Sequence, residues 1–335
     1  MKNESIMANL PEEMQGIVFV DLRIDYAFKL IFGTRGNEDL LLELVRAVLP
    51  EKNIVSVTLS NQENVGLRPG ARRSVYDIAC TTETGEFLSI EMQYRYQDDF
   101  DDRLLFYSSF PIINSLMRGK NDSYKLNPIY LIAITNFINS NVPDNPRLIN
   151  SYSVRSDNYT DVLFSKKVHY LTVELPKFTK TIDEVASVPD MLFYTFNNIG
   201  KLEAMPDKFR GTVLEKLFKL CRFAAMGINL QMDYVREFMA ELDARSQLRS
   251  ARELAMSEGR ATGHAEGLAE GRAEGRAEGR AEGLAEGKAE GKAEGKAEGK
   301  AEGKAEVAAA MKARGMSVSD IADITGLTEQ QISEL

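Results

Sequence analysis

Tyr76-Asp77-Ile78-Ala79-Cys80, Thr82-Glu83-Thr84-Gly85-Glu86 and Ser89-Ile90-Glu91-Met92-Gln93 follow one another as strand, tight turn and strand. A three-residue loop, Glu83-Thr84-Gly85, with glycine in the left-handed position is a common hairpin connection, and it pairs Thr82 with Glu86. Counting back five positions on each side sets Asp77 opposite Glu91, with β-carbons roughly 4.5–5.5 Å apart. Gln93 lies two residues on and shares their face. The other face carries Tyr76, Ile78, Cys80, Leu88, Ile90 and Met92, an apolar set expected to pack on helices.

Like charges directly opposed weaken a sheet unless something compensates them. A divalent cation is the simplest compensator, since Mg²⁺ takes one or two carboxylates and keeps several waters. A solvated acidic face, or one carboxylate paired with Arg72, Arg73 or Arg103, explains the pattern equally well. The local sequence leaves these alternatives open.

Upstream of the hairpin, Ile24, Phe28, Ile31 and Phe32 recur at helical spacing, and Gly33 suits a helix stop. A second helix is expected from Glu38 to Val48, with Leu40, Leu41, Leu44, Val45 and Val48 on one face. Strands are expected at Ile54–Leu59, Ser74–Thr81 and Glu86–Tyr94. A helix from Leu104 to Met117 should be bent or interrupted by Pro111. The run from Pro128 to Ile134 has the continuous apolar character of a fully buried strand, and Val168–Leu175 reads as another. The rest, to about residue 245, reads as mainly helical. Helix, strands, helix and strand in that order imply an α/β core with a mixed sheet flanked by helices.

Composition bounds the function. The chain has 335 residues, 27% charged and 44% hydrophobic, enough for a sizeable core. No apolar stretch reaches 18 residues, which excludes a spanning helix. The first residues carry no apolar run fit for export, so the expected location is cytoplasmic, with no membrane partner. Cys80 and Cys221 match no metal-finger spacing and are expected to be reduced and buried. A net charge of −9 argues against tight, indiscriminate coating of nucleic acid, though it permits a local basic cleft. No nucleophile elbow, phosphate-binding Gly-Lys-Ser/Thr loop or His-Glu-x-x-His zinc motif occurs. His169, in an apolar strand, reads as structural.

Asp77 followed by Glu91-Met92-Gln93 resembles the Asp…Glu-x-Lys pattern of the PD-(D/E)XK nuclease superfamily. The wider set is similar to its recombination-promoting nuclease and transposase branch. That set comprises Asp25 to Gly33, Asp77, Ile90 to Gln93, Arg103-Leu104-Leu105-Phe106-Tyr107 and the run from Pro128 to Phe137, over roughly residues 20 to 180. The resemblance implies a restriction-endonuclease-like α/β core acting on DNA, with Asp77, Glu91 and Gln93 as catalytic residues. It implies Mg²⁺, or Mn²⁺ or Ca²⁺, held by Asp77, Glu91 and the Met92 backbone carbonyl. Asp25 matches a position where an acidic residue often completes such a site; capping a helix or facing solvent explains it as well. Gln93 departs from the superfamily's lysine: an amide can orient an attacking water but cannot stabilise developing charge as an ammonium does. Three outcomes fit this departure: a slower enzyme, one in which Lys29, Arg95 or Arg103 supplies the positive charge, or a retained fold without activity. Arg103 and Tyr107, four apart on one helical face, are candidates for phosphate contact together with Lys29. Pairing of Arg103 with Asp99 and packing of Tyr107 in the core form the alternative.

From Glu258 to Glu306 the sequence becomes a four-residue repeat, Ala-Glu-Gly-Arg and later Ala-Glu-Gly-Lys, with glycine at every fourth position from Gly259 to Gly303. Each glycine costs a helix about 0.8–1 kcal/mol against alanine. Like charges fall four apart, and no opposite pair falls at three or four. A flexible linker and an oligomerising helix with a right-handed supercoil both fit. In the tail, Ser317 and Thr328 are expected to cap two short helices around Gly326, with Ile321, Ala322 and Ile324 inward. The unit resembles a helix-turn-helix, read as a pairing module before a DNA reader because its second helix lacks Lys and Arg.

The expected organisation is a nuclease-like domain over 15–180, a mainly helical extension over 181–250, the repeat over 251–306 and the helical tail over 307–335. Two functions compete. One is a Mg²⁺-dependent DNA endonuclease linked to recombination or mobile elements. The other is a catalytically weak or inactive scaffold that binds nucleic acid or protein and forms homo-oligomers through residues 251–335.

Overall fold

The structure is a computed structural model, described over residues 10–60, 63–64, 74–117, 125–139 and 145–335. It divides into two units, Met1–Ser246 and Gln247–Leu335.

The first unit opens with helices α1 (Asp25–Phe32) and α2 (Glu38–Val48), then strands β1 (Val57–Leu59), β2 (Glu63–Asn64), β3 (Ser74–Val75), β4 (Ile78–Thr82) and β5 (Phe87–Gln93). Helix α3 (Phe100–Met117) leads to β6 (Ile129–Thr135), β7 (Ile149–Ser153) and β8 (Val168–Glu174). Helices α4 (Val188–Asn198) and α5 (Val213–Leu220) follow, and α6 starts at Ile228. Among the described residues, six strands form one sheet in the order β1-β4-β5-β6-β8-β7. β5, β6 and β8 run parallel, while β1, β4 and β7 are antiparallel to their neighbours.

Helices cover both faces of this mixed sheet. On one, Ile78, Cys80, Leu88, Ile90, Met92, Ile132, Ile134 and Val173 meet the apolar sides of α1, α2, α4 and α5. Phe28, Phe32 and Phe196 cluster there, the last two stacked at 5.7 Å and Phe28 tilted against both. Helices α4 and α5 therefore share one core with the sheet. The start of α6 joins it through Tyr234, whose hydroxyl accepts a hydrogen bond from the Asp21 N–H at 2.8 Å. On the other face, α3 packs Phe100 and Leu104 over Ile129, Leu131 and Ala133. All seven β6 residues are buried, as a central parallel strand requires.

Several expectations need correction. The strand foreseen over Ser74–Thr81 breaks at Tyr76 and Asp77 into β3 and β4. This break reverses Tyr76, whose ring packs against Phe87 and Tyr107 under α3 instead of joining Ile78 and Cys80. Helix α3 begins four residues earlier than the periodicity suggested and continues through Pro111. A proline removes the donor to the carbonyl four residues back. Here that carbonyl belongs to Tyr107, and the Tyr76 hydroxyl donates to it at 3.0 Å. Strand β7 was not foreseen, because Asn150, Ser151 and Ser153 break any apolar alternation.

In the second unit, α6 continues as one helix to Ala313, so the repeat is helical in this structure. Helices α7 (Val318–Thr325) and α8 (Glu329–Glu334) fold back on its end, burying Ala308, Ile321 and Ile332. Ser317 and Thr328 cap them, the latter in a full capping box with Gln331, and Gly326 adopts φ +70°. Ile324 is 59% exposed and Thr325 is buried in its place. Ile321 lies inward beside Ala322 and Val318, and the 100° helical step carries Thr325 toward that arc and Ile324 away from it.

Candidate active site

The hairpin turn fixes the position of the acidic pair. Gly85, at φ +81°, closes the loop, and its N–H donates to the Thr82 carbonyl at 3.0 Å. Thr82 pairs with Glu86 through its own N–H, also at 3.0 Å. The register continues as Cys80 with Leu88 and Ile78 with Ile90, and its next step sets Asp77 against Glu91.

At that step a carboxylate enters the ladder. Asp77 Oδ2 accepts from the Met92 N–H at 2.8 Å, and Glu91 Oε1 accepts from the Asp77 N–H at 3.4 Å. In an extended strand the N–H and C=O of one residue leave by the same edge, so the Met92 carbonyl faces the edge that carries Asp77. Asp77 is 7% exposed and Glu91 2%. Of the alternatives that the sequence left open, a solvated acidic face is excluded, because both carboxylates are buried.

Lys29 reaches Asp77 from α1. Its Nζ lies 3.0 Å from Asp77 Oδ1 and 2.6 Å from Asp25 Oδ2, so the ammonium stands between the two carboxylates. Asp25 Oδ1 is buried without a hydrogen-bond partner. Arg72 and Arg73, considered as partners of the acidic pair, lie outside the described residues.

Burial dominates the electrostatics. It pushes the Asp77 carboxyl up to about 7, with the charge of Asp25 adding to the rise and Lys29 and the Met92 N–H opposing it. Burial, then the charge on Asp77, holds the Glu91 carboxyl well above the ordinary range. Lys29 is also buried, which works against its charge, but the carboxylates of Asp77 and Asp25 more than offset this and raise its pKa.

The cations flanking Gln93 take different directions. Arg103 donates to Gln93 Oε1 at 3.5 Å and to Gln97, and its guanidinium sits 5.9 Å from the Tyr107 ring. Tyr107 itself packs edge-on to Tyr76. Arg95 turns away and pairs with Glu241 of α6 at 2.9 Å. The fold thus brings together Asp77, Glu91, Met92, Lys29, Gln93 and Arg103, and leaves Arg95 outside. Asp25 is joined to the group by Lys29, and its charge also bears on Asp77. Among the described residues, no three Asp, Glu, His or Cys side chains converge as metal ligands.

The sequence reading missed the second layer behind Gln93. The Gln93 carbonyl accepts from the Asn136 N–H at 2.9 Å, and Asn136 Oδ1 accepts from Arg23. Arg23 is held by both oxygens of Asp21, the closer at 2.7 Å, and lies beside Tyr94, whose hydroxyl accepts from Arg245. One signal was available. Asn136 lies just past the carboxyl end of a parallel strand, where α/β sheets gather functional residues.

A mixed sheet with helices on both faces and a buried carboxylate pair on its central hairpin defines a PD-(D/E)XK-like α/β protein. The family model for the PD-(D/E)XK nuclease family transposase matches residues 22–251, and the chain belongs to that family. No curated protein and no solved structure matches it. Among the described residues, no helix is long and apolar enough to cross a membrane.

Proposed function

We propose that the chain is a metal-dependent endonuclease that hydrolyses DNA phosphodiester bonds, in a setting of recombination or mobile elements. The observation that carries this reading is the buried Asp77–Glu91 pair. Burying two acidic groups side by side is costly unless a cation shares them. The residues fit Mg²⁺, which needs few carboxylates and an oxygen-only set. Asp77, Glu91 and the Met92 carbonyl would hold it, and Mn²⁺ or Ca²⁺ suits the same oxygens. The orphaned Asp25 Oδ1 is a further acceptor beside the group. When bound, such a cation polarises a phosphoryl oxygen and lowers the pKa of a coordinated water.

The chain's own side chains supply the rest. Gln93, steadied by Arg103, orients the attacking water by hydrogen bonds but takes no proton from it. Lys29, beside Asp77, provides the ammonium that position 93 lacks and stabilises negative charge developing on the phosphate. Arg103, with Tyr107 beneath it, offers a phosphate contact on the opposite side of Gln93. Asn136 and Arg23 hold the end of β5 and so position Gln93.

Nicking of supercoiled plasmid in the presence of Mg²⁺ tests this. The intact protein should nick, and Asp77→Asn and Glu91→Gln should not. Nicking undiminished in both variants would remove the assignment. One observation favours the rival reading of a non-catalytic scaffold: Lys29 already neutralises part of the acidic cluster without a metal. That reading expects no Mg²⁺-dependent cleavage.

A further inference from the structure

We infer that the repeat helix is one half of a symmetric, parallel, in-register pair formed with a second copy of this chain along its glycine stripe.

The first ground is an uncompensated cost. Residues 251–303 of α6 are exposed throughout, and a Cβ placed at any of the twelve glycines from Gly259 to Gly303 would meet nothing within 4 Å. Among the described residues no contact explains glycine there, and each costs the helix about 0.8–1 kcal/mol against alanine. Glutamates stack four apart along one line from Glu266 to Glu306. Basic residues do the same from Arg272 to Lys304, interrupted by Leu284. Both lines are self-repelling at that spacing. A helix built this way is stabilised only by something outside it.

The second ground is charge complementarity. Residues advance about 100° per step around a helix, so in Ala-Glu-Gly-Lys the acidic and basic lines fall on opposite flanks. Glycine occupies the face between them and alanine the face behind. When two such helices meet glycine to glycine about a two-fold axis parallel to them, each acidic line borders the partner's basic line on both flanks. A symmetric antiparallel pair has its two-fold perpendicular to the helices and sets glutamate beside glutamate. Among symmetric pairs, charge therefore selects the parallel one, and two-fold pairs dominate protein self-association. The stripe also drifts about 40° with every four residues, which a right-handed crossing follows. Glycine at every fourth position permits such crossings at close range, as it does for helices in membranes, at about −40°.

The full chain tests this without any assay of activity. Its mass in low salt should be twice the 37.4 kDa of one copy, and a single-copy mass at tens of micromolar would overturn the proposal. Spin labels on Ala265→Cys or Ala301→Cys add one reactive thiol, since Cys80 and Cys221 are buried. Each labelled variant alone should give a label-to-label distance of roughly 20–30 Å, a helix pair's width. Distances near about 50 Å in both would mean antiparallel pairing and sink the idea. Lys288→Glu, Lys292→Glu and Lys296→Glu together should weaken pairing by about tenfold or more at low ionic strength. Adding Glu286→Lys, Glu290→Lys and Glu294→Lys restores opposite flanks and should restore pairing. An unchanged dissociation constant in the first variant, or no recovery in the second, would also overturn it.

Discussion

Asp77 Oδ2 takes the Met92 N–H at 2.8 Å, so a carboxylate occupies a place in the β4–β5 ladder where a backbone carbonyl would ordinarily stand. The bend at Asp77 allows this, and it fixes the side chain in the sheet without help from a rotamer choice at the surface. Asp77 and Glu91 are thus preorganised and poorly solvated, at a cost to the fold that a bound cation can offset.

Neutral replacement of the pair should separate activity from stability. Asp77→Asn and Glu91→Gln are expected to lower Mg²⁺-dependent nicking at least about 100-fold. In metal-free buffer at pH 8, Asp77→Asn should raise stability, on the order of 1–3 kcal/mol, by removing a buried charge. Urea denaturation of both proteins provides the check, and a destabilised Asp77→Asn variant would contradict the account of strain at this site.

The pH dependence follows from the direction of the shifts. Both carboxyls bind protons more tightly folded than unfolded, so their neutral forms stabilise the fold at low pH. That contribution is complete below about pH 4, the unfolded value for an aspartate, and fades as pH rises through about 7, the folded value of Asp77. Metal-free protein should therefore lose this share of its stability between pH 5 and 8 by about 1–3 kcal/mol. Mg²⁺ should recover it at the alkaline end, because the cation competes with those protons. Melting curves at both pH values, with and without Mg²⁺, measure this.

The three cations near the site should not be equivalent. Lys29→Met is expected to reduce nicking about 10- to 100-fold, and Arg103→Met about tenfold, since both touch the group at Asp77 and Gln93. Arg95→Met should change it by less than about threefold, because Arg95 is tied to Glu241 instead. Equal losses in all three would mean that bulk positive charge, and not placement, matters.

Tyr76→Phe tests the seam between hairpin and α3. It leaves the Tyr107 carbonyl without the donor that replaces Pro111's missing N–H. The expected cost is about 1–2 kcal/mol, read from chemical denaturation. Pro111→Ala restores the helical donor, so Tyr76→Phe made in that background should cost less.

Much of the hairpin was legible because its information is local. Three residues with glycine in the left-handed position set the register, and counting from the turn puts Asp77 across from Glu91. Helices α1 and α2 were legible for the same reason, since a 3.6-residue repeat of large apolar side chains needs no distant partner to be recognised. The environment of the acidic pair was not. The alternation of polar and apolar positions separates two faces but does not say that α3 will cover the polar one. Asp25 and Asp77 are 52 positions apart in sequence, and only the packing of α1 on the sheet sets Lys29 between them.

The sequence by itself determined the turn, the strand register, the apolar faces of the helices and the fourfold stripe pattern of the repeat, all consequences of short-range sterics and periodicity. The tertiary structure alone decided that Asp77 and Glu91 are buried, that Tyr76 reverses to satisfy a carbonyl in α3, and which cations point at the site. Those outcomes depend on desolvation and on hydrogen bonds between elements far apart in the chain, and neither quantity exists until the layers have packed.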